Sequence, residues 1–167
     1  MLWPDPASFL ILWPLAGALA VSLLRARPTA ARLLALFFAA VECSAVIPLW
    51  KALPASGWAF ARTVPWMQST MGGASYRVAL DALSLSLIAA SALLVVLVVL
   101  ASWTQVKDRV AGFHAWVLVL QSALAGTFAS RDLLCFFVFW EAVLIPMYFL
   151  IGIWGGAGRL PAATKFV

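Results

Sequence analysis

The sequence predicts an all-α protein, a polytopic bundle of transmembrane helices, and three observations carry that prediction. Of the 167 residues, 65% are hydrophobic and 10% are charged, and the mean hydropathy is +1.04. A soluble domain carries roughly a quarter charged residues. The apolar residues gather in five segments, each long enough to cross a hydrocarbon core of about 30 Å as a helix. These five predicted spans are 7–24, 31–50, 83–103, 113–130 and 132–155.

The first apolar segment ends in small residues, as a secretory signal does, but its flanking charges oppose that interpretation. Asp5 precedes the segment, and Arg25 and Arg27 follow it. A signal peptide has the reverse order, with positive charge before the apolar run. We therefore expect a retained helix.

The basic residues predict the orientation in the membrane. With the N-terminus outside, seven of the eleven Lys and Arg fall in inner connections and four in outer ones, the asymmetry that membrane proteins show. No basic stripe and no nucleic-acid-binding motif accompanies the net charge of +5, so we expect a lipid bilayer and no nucleic acid as partner. The inner set is Arg25, Arg27, Arg32, Lys107, Arg109, Arg159 and Lys165.

The longest segment between predicted spans is 51–82, with two Pro, three Gly and several small polar residues. This composition is typical of a loop, and the charge asymmetry places it on the outer face. Residues around Tyr76 to Leu80 could form a short extended piece.

The two cysteines predict no metal site. Cys43 and Cys135 lie inside apolar runs on different segments, without His or Cys neighbours that would complete a ligand set. We interpret both as small buried hydrophobic residues.

A single carboxylate, Glu141, interrupts the apolar run FFVFWEAVLIPMYFLIGIW of the fifth segment. It lies about nine residues, or ~14 Å along a helix, from Asp132 and hence close to mid-membrane. An acid there costs roughly 2.5–3.5 kcal/mol, so its partner must come from another helix or from water. Pro146 leaves the carbonyl of Ala142 without its helical N–H donor. We interpret Glu141 as a proton-transfer residue beside a distorted turn, and a neutral structural acid is the alternative.

Glu42 is a second acid inside an apolar segment, and Pro48 follows it. Small residues surround Glu42, so a protonated acid satisfied at a close helix contact explains it at least as well as a functional role. The fourth segment adds His114 near the inner rim. An imidazole titrates near neutral pH and would suit proton uptake, although a purely interfacial role is favoured.

The residues from Asp132 to Gly156, DLLCFFVFWEAVLIPMYFLIGIWGG, resemble the fifth transmembrane helix of the antiporter-like subunit M family of bacterial NADH-quinone oxidoreductase, respiratory complex I. The run LDALSLSLIAASALLVVLVVLASW is similar to the family's D-G-L-S-L opening of the third helix, with Ala82 where Gly is usual. GFH at 112–114 and AATKF at 162–166 also fit. The resemblance is strong over most of residues 80–167 and weak before them.

The resemblance implies a proton-translocating membrane subunit with about fourteen helices, in which 1–167 would be a single membrane domain at the N-terminal end. The glutamate that matches Glu141 is that family's essential intramembrane acid, paired with a lysine on the seventh helix. That lysine would lie beyond residue 167. Lys165 matches a position at the start of the sixth helix, and Glu42 has no counterpart.

The resemblance also implies partners and cofactors. The partners would be the other membrane subunits of respiratory complex I, in the bacterial inner membrane. No cofactor and no redox active site is expected in this chain, because NADH, FMN, iron–sulfur clusters and quinone would be held by partner subunits. Three alternatives stay open: a subunit of a cation/proton antiporter, a subunit of an energy-converting hydrogenase, and an inert structural membrane subunit.

Overall fold

A computed structural model describes residues 5–55, 57–67 and 74–166 of the chain. Within these residues the helices and strands follow one another in a simple order. They are α1 Pro6–Ser22, α2 Pro28–Ala52, β1 Ala59–Met67, β2 Ala74–Leu80, α3 Ala82–Gln105, α4 Val110–Ala129, α5 Leu133–Trp154 and α6 Arg159–Phe166.

The predicted membrane-helix fold is confirmed, with one difference in the first span. Helices α2 to α5 are long and apolar enough to cross a membrane, whereas α1 is a shorter apolar helix of 17 residues, about 26 Å in length. The predicted spans overlap α1 to α5. Helix α2 begins at Pro28, three residues before its predicted start, because proline is favoured in the first helical turn.

Helix α4 is the centre of the bundle, and α5 lies at its edge. Helix α4 packs against α1, α2, α3 and α5. Of the 18 most apolar consecutive residues of each helix, 61% are buried in α4 and 11% in α5. Helix α5 therefore has few fully buried residues, and its remaining residues are half-buried or exposed.

Small residues let the helices approach closely, which is how helices associate when lipid is the solvent. A Cβ atom at Gly17 of α1 would come within 2.6 Å of the ring of Phe38 on α2. A Cβ atom at Gly126 of α4 would collide with the ring of Phe139 on α5. These two glycines set the α1–α2 and α4–α5 distances.

Within the segment 51–82, β1 and β2 pair as an antiparallel β-hairpin, which corrects the prediction of a loop without strands before Tyr76. Strand β2 confirms the extended piece expected around Tyr76 to Leu80, whereas β1 was not predicted. Pro65 lies inside β1, and proline cannot donate to a β-ladder. The register shifts between Pro65 and Met67 and so accommodates it. Residues 56 and 68–73 of this segment lie outside the described residues.

Side chains tie the hairpin to one end of the helix bundle. The Tyr76 hydroxyl lies 3.0 Å from Ser8 Oγ on α1, and Arg62 Nε lies 3.5 Å from Asp5 Oδ2. The backbone N–H of Arg131 donates to the carbonyl of Arg77 at 2.8 Å. The hairpin therefore closes the end at which α1 begins and α4 passes into α5.

Asp81 joins the hairpin, the start of α3 and the α4–α5 connection. Its Oδ1 accepts from the backbone N–H of Ser84 at 2.7 Å, which caps α3, and its Oδ2 pairs with Arg131 Nη2 at 2.8 Å. The guanidinium of Arg131 also lies 4.7 Å from the ring centre of Trp58. The N–H of Ser84, supported by Arg131, holds the pKa of Asp81 below its usual value.

Both cysteines are free thiols, as the sequence predicts. Cys135 is buried, which confirms its interpretation as a small core residue, whereas Cys43 is only half-buried. Cys43 follows Glu42 on α2.

Replacing Gly126 by Val should destabilise the folded chain by roughly 1–3 kcal/mol, because the new side chain overlaps the ring of Phe139 and forces α4 and α5 apart. The thermal unfolding midpoint of the purified protein in detergent measures the effect. Gly156→Val is the matched control, since nothing lies within 4 Å of a Cβ atom there. Equal midpoints for the two variants would contradict the close contact.

Replacing Asp81 by Asn should lower stability at neutral pH but not at acid pH. Because the folded pKa is depressed below the unfolded value of about 3.9, the carboxylate's contribution is present above that value and is lost as pH falls through the folded pKa. We expect the stability difference between Asp81→Asn and the natural chain to narrow below about pH 4. A difference of constant size from pH 7 to pH 3 would show that ionisation of Asp81 contributes nothing.

Candidate proton-transfer site

Glu141 lies near the middle of α5, and its side chain is exposed on the outward face of the bundle. Within α5, the buried residues are Cys135 and Pro146. The exposed face forms an open groove of about 700 Å³ around the carboxylate. Its other lining residues are Phe137, Val138, Ala142, Leu144, Ile145, Tyr148 and Phe149.

The carboxylate of Glu141 has no protein partner in the part of the chain that the structure describes. The hydrogen bonds and ion pairs of residues 5–55, 57–67 and 74–166 include none to Glu141. Left facing lipid, such an acid costs roughly 2.5–3.5 kcal/mol. The partner predicted from another helix is therefore not among the described residues of α1 to α4.

Pro146 lies inside α5, which continues through it from Leu133 to Trp154. Pro146 is five positions after Glu141, which corresponds to a rotation of about 140° around the helix. Pro146 is accordingly buried, whereas Glu141 is exposed. Ala142, whose carbonyl receives no N–H from Pro146, lines the same groove as the carboxylate. The groove thus combines an acid with a backbone acceptor that water can satisfy.

Glu42 is fully buried between α2 and α4. Its Oε1 accepts a hydrogen bond of 2.9 Å from Gln121 Nε2 on α4. Glu42 Oε2 and Gln121 Oε1 are both buried and have no hydrogen-bond partner among the described residues. The pair supports the structural interpretation of Glu42, an acid held at a close helix contact.

The contact of Glu42 with Gln121 was not predicted from the sequence. Each residue was recognised as polar within an apolar span, but 79 positions separate them. Both lie near the middle of their helices, Glu42 in α2 and Gln121 in α4. This shared depth was the feature of the sequence that could have indicated their contact.

His114 is fully buried, one turn from the start of α4. Its Nδ1 lies 2.8 Å from the carbonyl of Val110, and its Nε2 lies 3.4 Å from Ser102 Oγ on α3. Both ring nitrogens therefore have neighbours within the bundle. His114 is more than two helical turns from the depth of Glu141, so the structure does not bring these two predicted site residues together.

Comparison with known proteins connects this fold to membrane respiratory complexes. The family described as NADH:quinone oxidoreductase/Mrp antiporter, TM, matches residues 130–167. NAD(P)H-quinone oxidoreductase chain 4 2 of Thermosynechococcus vestitus is 45% identical over 105 residues, 63% of this chain and 19% of that protein. NADH-quinone oxidoreductase subunit M of Pseudomonas aeruginosa is 41% identical over 115 residues, 65% of this chain and 22% of that protein.

A solved structure of respiratory complex I from Thermus thermophilus with bound NADH contains a chain of the same fold. The two chains superimpose with a TM-score of 0.80 at 29% identity, over 95% of this chain and 31% of that one. The chain is thus a multi-pass membrane protein with the helical fold of a complex I membrane subunit.

The resemblance to subunit M of NADH-quinone oxidoreductase is confirmed by these matches. The chain spans about a fifth of the length of the curated relatives it matches. Glu141 lies inside the matched residues 130–167, whereas Glu42 lies outside them.

Replacing Gln121 by Leu should destabilise the fold by about 1–3 kcal/mol, because Glu42 then has no described donor in a buried position. The double variant Glu42→Leu/Gln121→Leu should recover much of that loss, since both polar groups are removed together. Unfolding midpoints of the two variants and the natural chain test this. A double variant less stable than Gln121→Leu alone would refute the pairing.

Proposed function

We propose that this chain belongs to a proton-translocating membrane subunit of a bacterial NADH-quinone oxidoreductase and that Glu141 carries the proton. The observation that supports the proposal is a mid-membrane carboxylate that faces away from α1 to α4 into a groove without a described partner. A structural acid would have a partner inside the bundle, as Glu42 has in Gln121. An exposed acid such as Glu141 can exchange its proton with a partner or with water, which a proton carrier must do.

The proposed step is a switch of the Glu141 carboxyl group between neutral and ionised forms. The other residues that line the groove are mostly apolar, so a charge on the carboxylate has few polar neighbours there. A cation brought close to the carboxylate favours the ionised form, so the acid releases its proton. When the cation withdraws, the carboxylate takes up a proton again. Directional transport requires that release and uptake connect to opposite sides of the membrane.

The lysine implied by the family resemblance, from the seventh helix of such subunits, would be the cation. Water at the freed carbonyl of Ala142 would supply the short hydrogen-bonded path that a proton needs. Pro146 thus contributes by leaving that carbonyl available beside Glu141, and not by breaking α5.

The proposed surroundings follow from the relatives. Other membrane subunits of the complex would cover the chain in the inner membrane, and partner subunits would hold NADH, FMN, the iron–sulfur clusters and quinone. The seven-to-four distribution of Lys and Arg supports an N-terminus on the outer side. His114, with Ser102 as its neighbour, is a secondary candidate for proton uptake near the inner side.

A cation/proton antiporter subunit is the second candidate, because the matching family is described as both NADH:quinone oxidoreductase and Mrp antiporter. The names of the relatives that are 41% and 45% identical favour the oxidoreductase. An antiporter would exchange protons for a metal cation independently of NADH, so dependence of pumping on NADH separates the two functions.

Glu141→Gln in the full-length, assembled protein should reduce NADH-driven proton pumping by about tenfold or more, because Gln keeps the volume and hydrogen-bonding head but carries no exchangeable acid proton. Glu141→Asp should recover part of the activity. Pumping is measured by fluorescence quenching in inverted membrane vesicles.

Glu42→Gln is the matched control, the same change at the other intramembrane acid, and it should be nearly silent. Electron transfer from NADH to an artificial acceptor should persist in every variant, which separates loss of pumping from loss of assembly. Undiminished pumping by fully assembled Glu141→Gln would rule out the relay and leave a structural role.

A further inference from the structure

A second concave surface lies far from Glu141, at the end of the bundle where α3 ends, α4 begins and α5 turns into α6. This basic cleft encloses about 1180 Å³ and is open to the surroundings. Its charged lining residues are Lys107, Asp108, Arg109 and Arg159. Apolar side chains make its walls: Val98 and Ala101 from α3, Phe113 from α4, and Ile153 and Trp154 from α5.

The cleft carries excess positive charge. Lys107, Arg109 and Arg159 are exposed, and none pairs with a carboxylate in the portion of the chain that is described. Asp108 is the one acid among its lining residues. Arg159 is held at the rim, since its Nη1 donates to the carbonyl of Ile153 at 2.9 Å. An anion in the cleft would therefore have three cations and one carboxylate among the lining residues.

An aromatic residue, Trp154, indicates the depth of the cleft in the membrane. Trp154 ends α5, and its indole N–H donates to the carbonyl of Asp108 at 3.0 Å. The ring of Phe113 lies 5.5 Å from that of Trp154 and supports it. Tryptophan at the end of a transmembrane helix marks the headgroup region, where the phosphates of lipids lie.

An apolar track runs from the cleft along the outside of α3. Leu94, Val98 and Ala101 follow one another at intervals of four and three residues, so they share one face of the helix. Leu94 is 60% exposed and Val98 is 39% exposed, and Leu94, one helical turn from Val98, lies deeper in the membrane than the cleft. A free phosphate ion would leave this track unused, whereas an acyl chain would cover it.

We infer that the basic cleft binds an anionic phospholipid, with its phosphate among Lys107, Arg109 and Arg159 and an acyl chain along Leu94, Val98 and Ala101. Charge complementarity and the continuous apolar track together select a lipid over a soluble anion. The inference is independent of proton transfer at Glu141, which lies on another face and at another depth. The bound lipid would hold the α3–α4 connection and the α5–α6 corner together at the membrane surface.

The test uses the full-length protein with its native subunits, delipidated in detergent and titrated with phosphatidylglycerol, phosphatidylcholine or inorganic phosphate. Bound lipid is counted by native mass spectrometry. The cleft variant is Lys107→Gln/Arg109→Gln/Arg159→Gln. The control, Arg25→Gln/Arg27→Gln/Lys165→Gln, removes the same charge from the same end of the bundle at exposed residues outside the cleft.

The cleft variant should bind one phosphatidylglycerol about 100-fold more weakly, at roughly fivefold for each cation removed, and the control should bind it almost normally. Phosphatidylcholine binding should not change. Equal losses in the two triple variants would reveal diffuse attraction only, and unchanged binding by the cleft variant would also overturn the inference.

A second variant separates a lipid from a free anion and does not depend on the charges. Ala101→Trp blocks the apolar track at an exposed position and keeps all three cations. It should weaken phosphatidylglycerol binding by tenfold or more. Displacement of the lipid by millimolar inorganic phosphate, or full lipid affinity in Ala101→Trp, would assign the cleft to a soluble anion and refute the lipid site.

Discussion

A polar group inside a hydrocarbon layer must find its partner within the protein, and the rest of this structure depends on that constraint. The helices satisfy their own backbone groups and leave side chains to make contacts between segments. Glu42 meets the constraint with one of its two oxygens, which accepts from Gln121, and His114 has Val110 and Ser102 beside its two ring nitrogens. Glu141 does not meet it within the described residues, and that contrast identifies the functional candidate.

The bundle places this exception at its edge for a physical reason. Gly126 allows α5 to approach α4 with Phe139 filling the space, so one face of α5 is committed to packing. The opposite face, with Glu141, is exposed as the open groove. Pro146 lies on the packed side, while the carbonyl it frees, that of Ala142, borders the open groove. Packing and proton chemistry are thus separated around a single helix.

The sequence predicted the helices well because apolar length is a property of each segment alone. It predicted the depth of Glu141 for the same reason, by counting residues from Asp132. Contacts between segments could not be predicted from the sequence. The residues around Glu42 do not indicate its contact with Gln121, and the residues around Glu141 do not indicate that its side chain faces outward. Strand β1 was missed because the Pro, Gly and small polar residues of 51–82 are typical of a loop, and the register of the hairpin shows how Pro65 is accommodated in a strand.

The most direct test of the central claim is an experimental structure of the full-length protein in its assembled complex, at a resolution that shows ordered water. The account predicts that the groove around Glu141 is covered by protein, with a basic side chain or a chain of water molecules within hydrogen-bond distance of the carboxylate. A Glu141 carboxylate facing lipid acyl chains, with neither cation nor water beside it, would contradict the account.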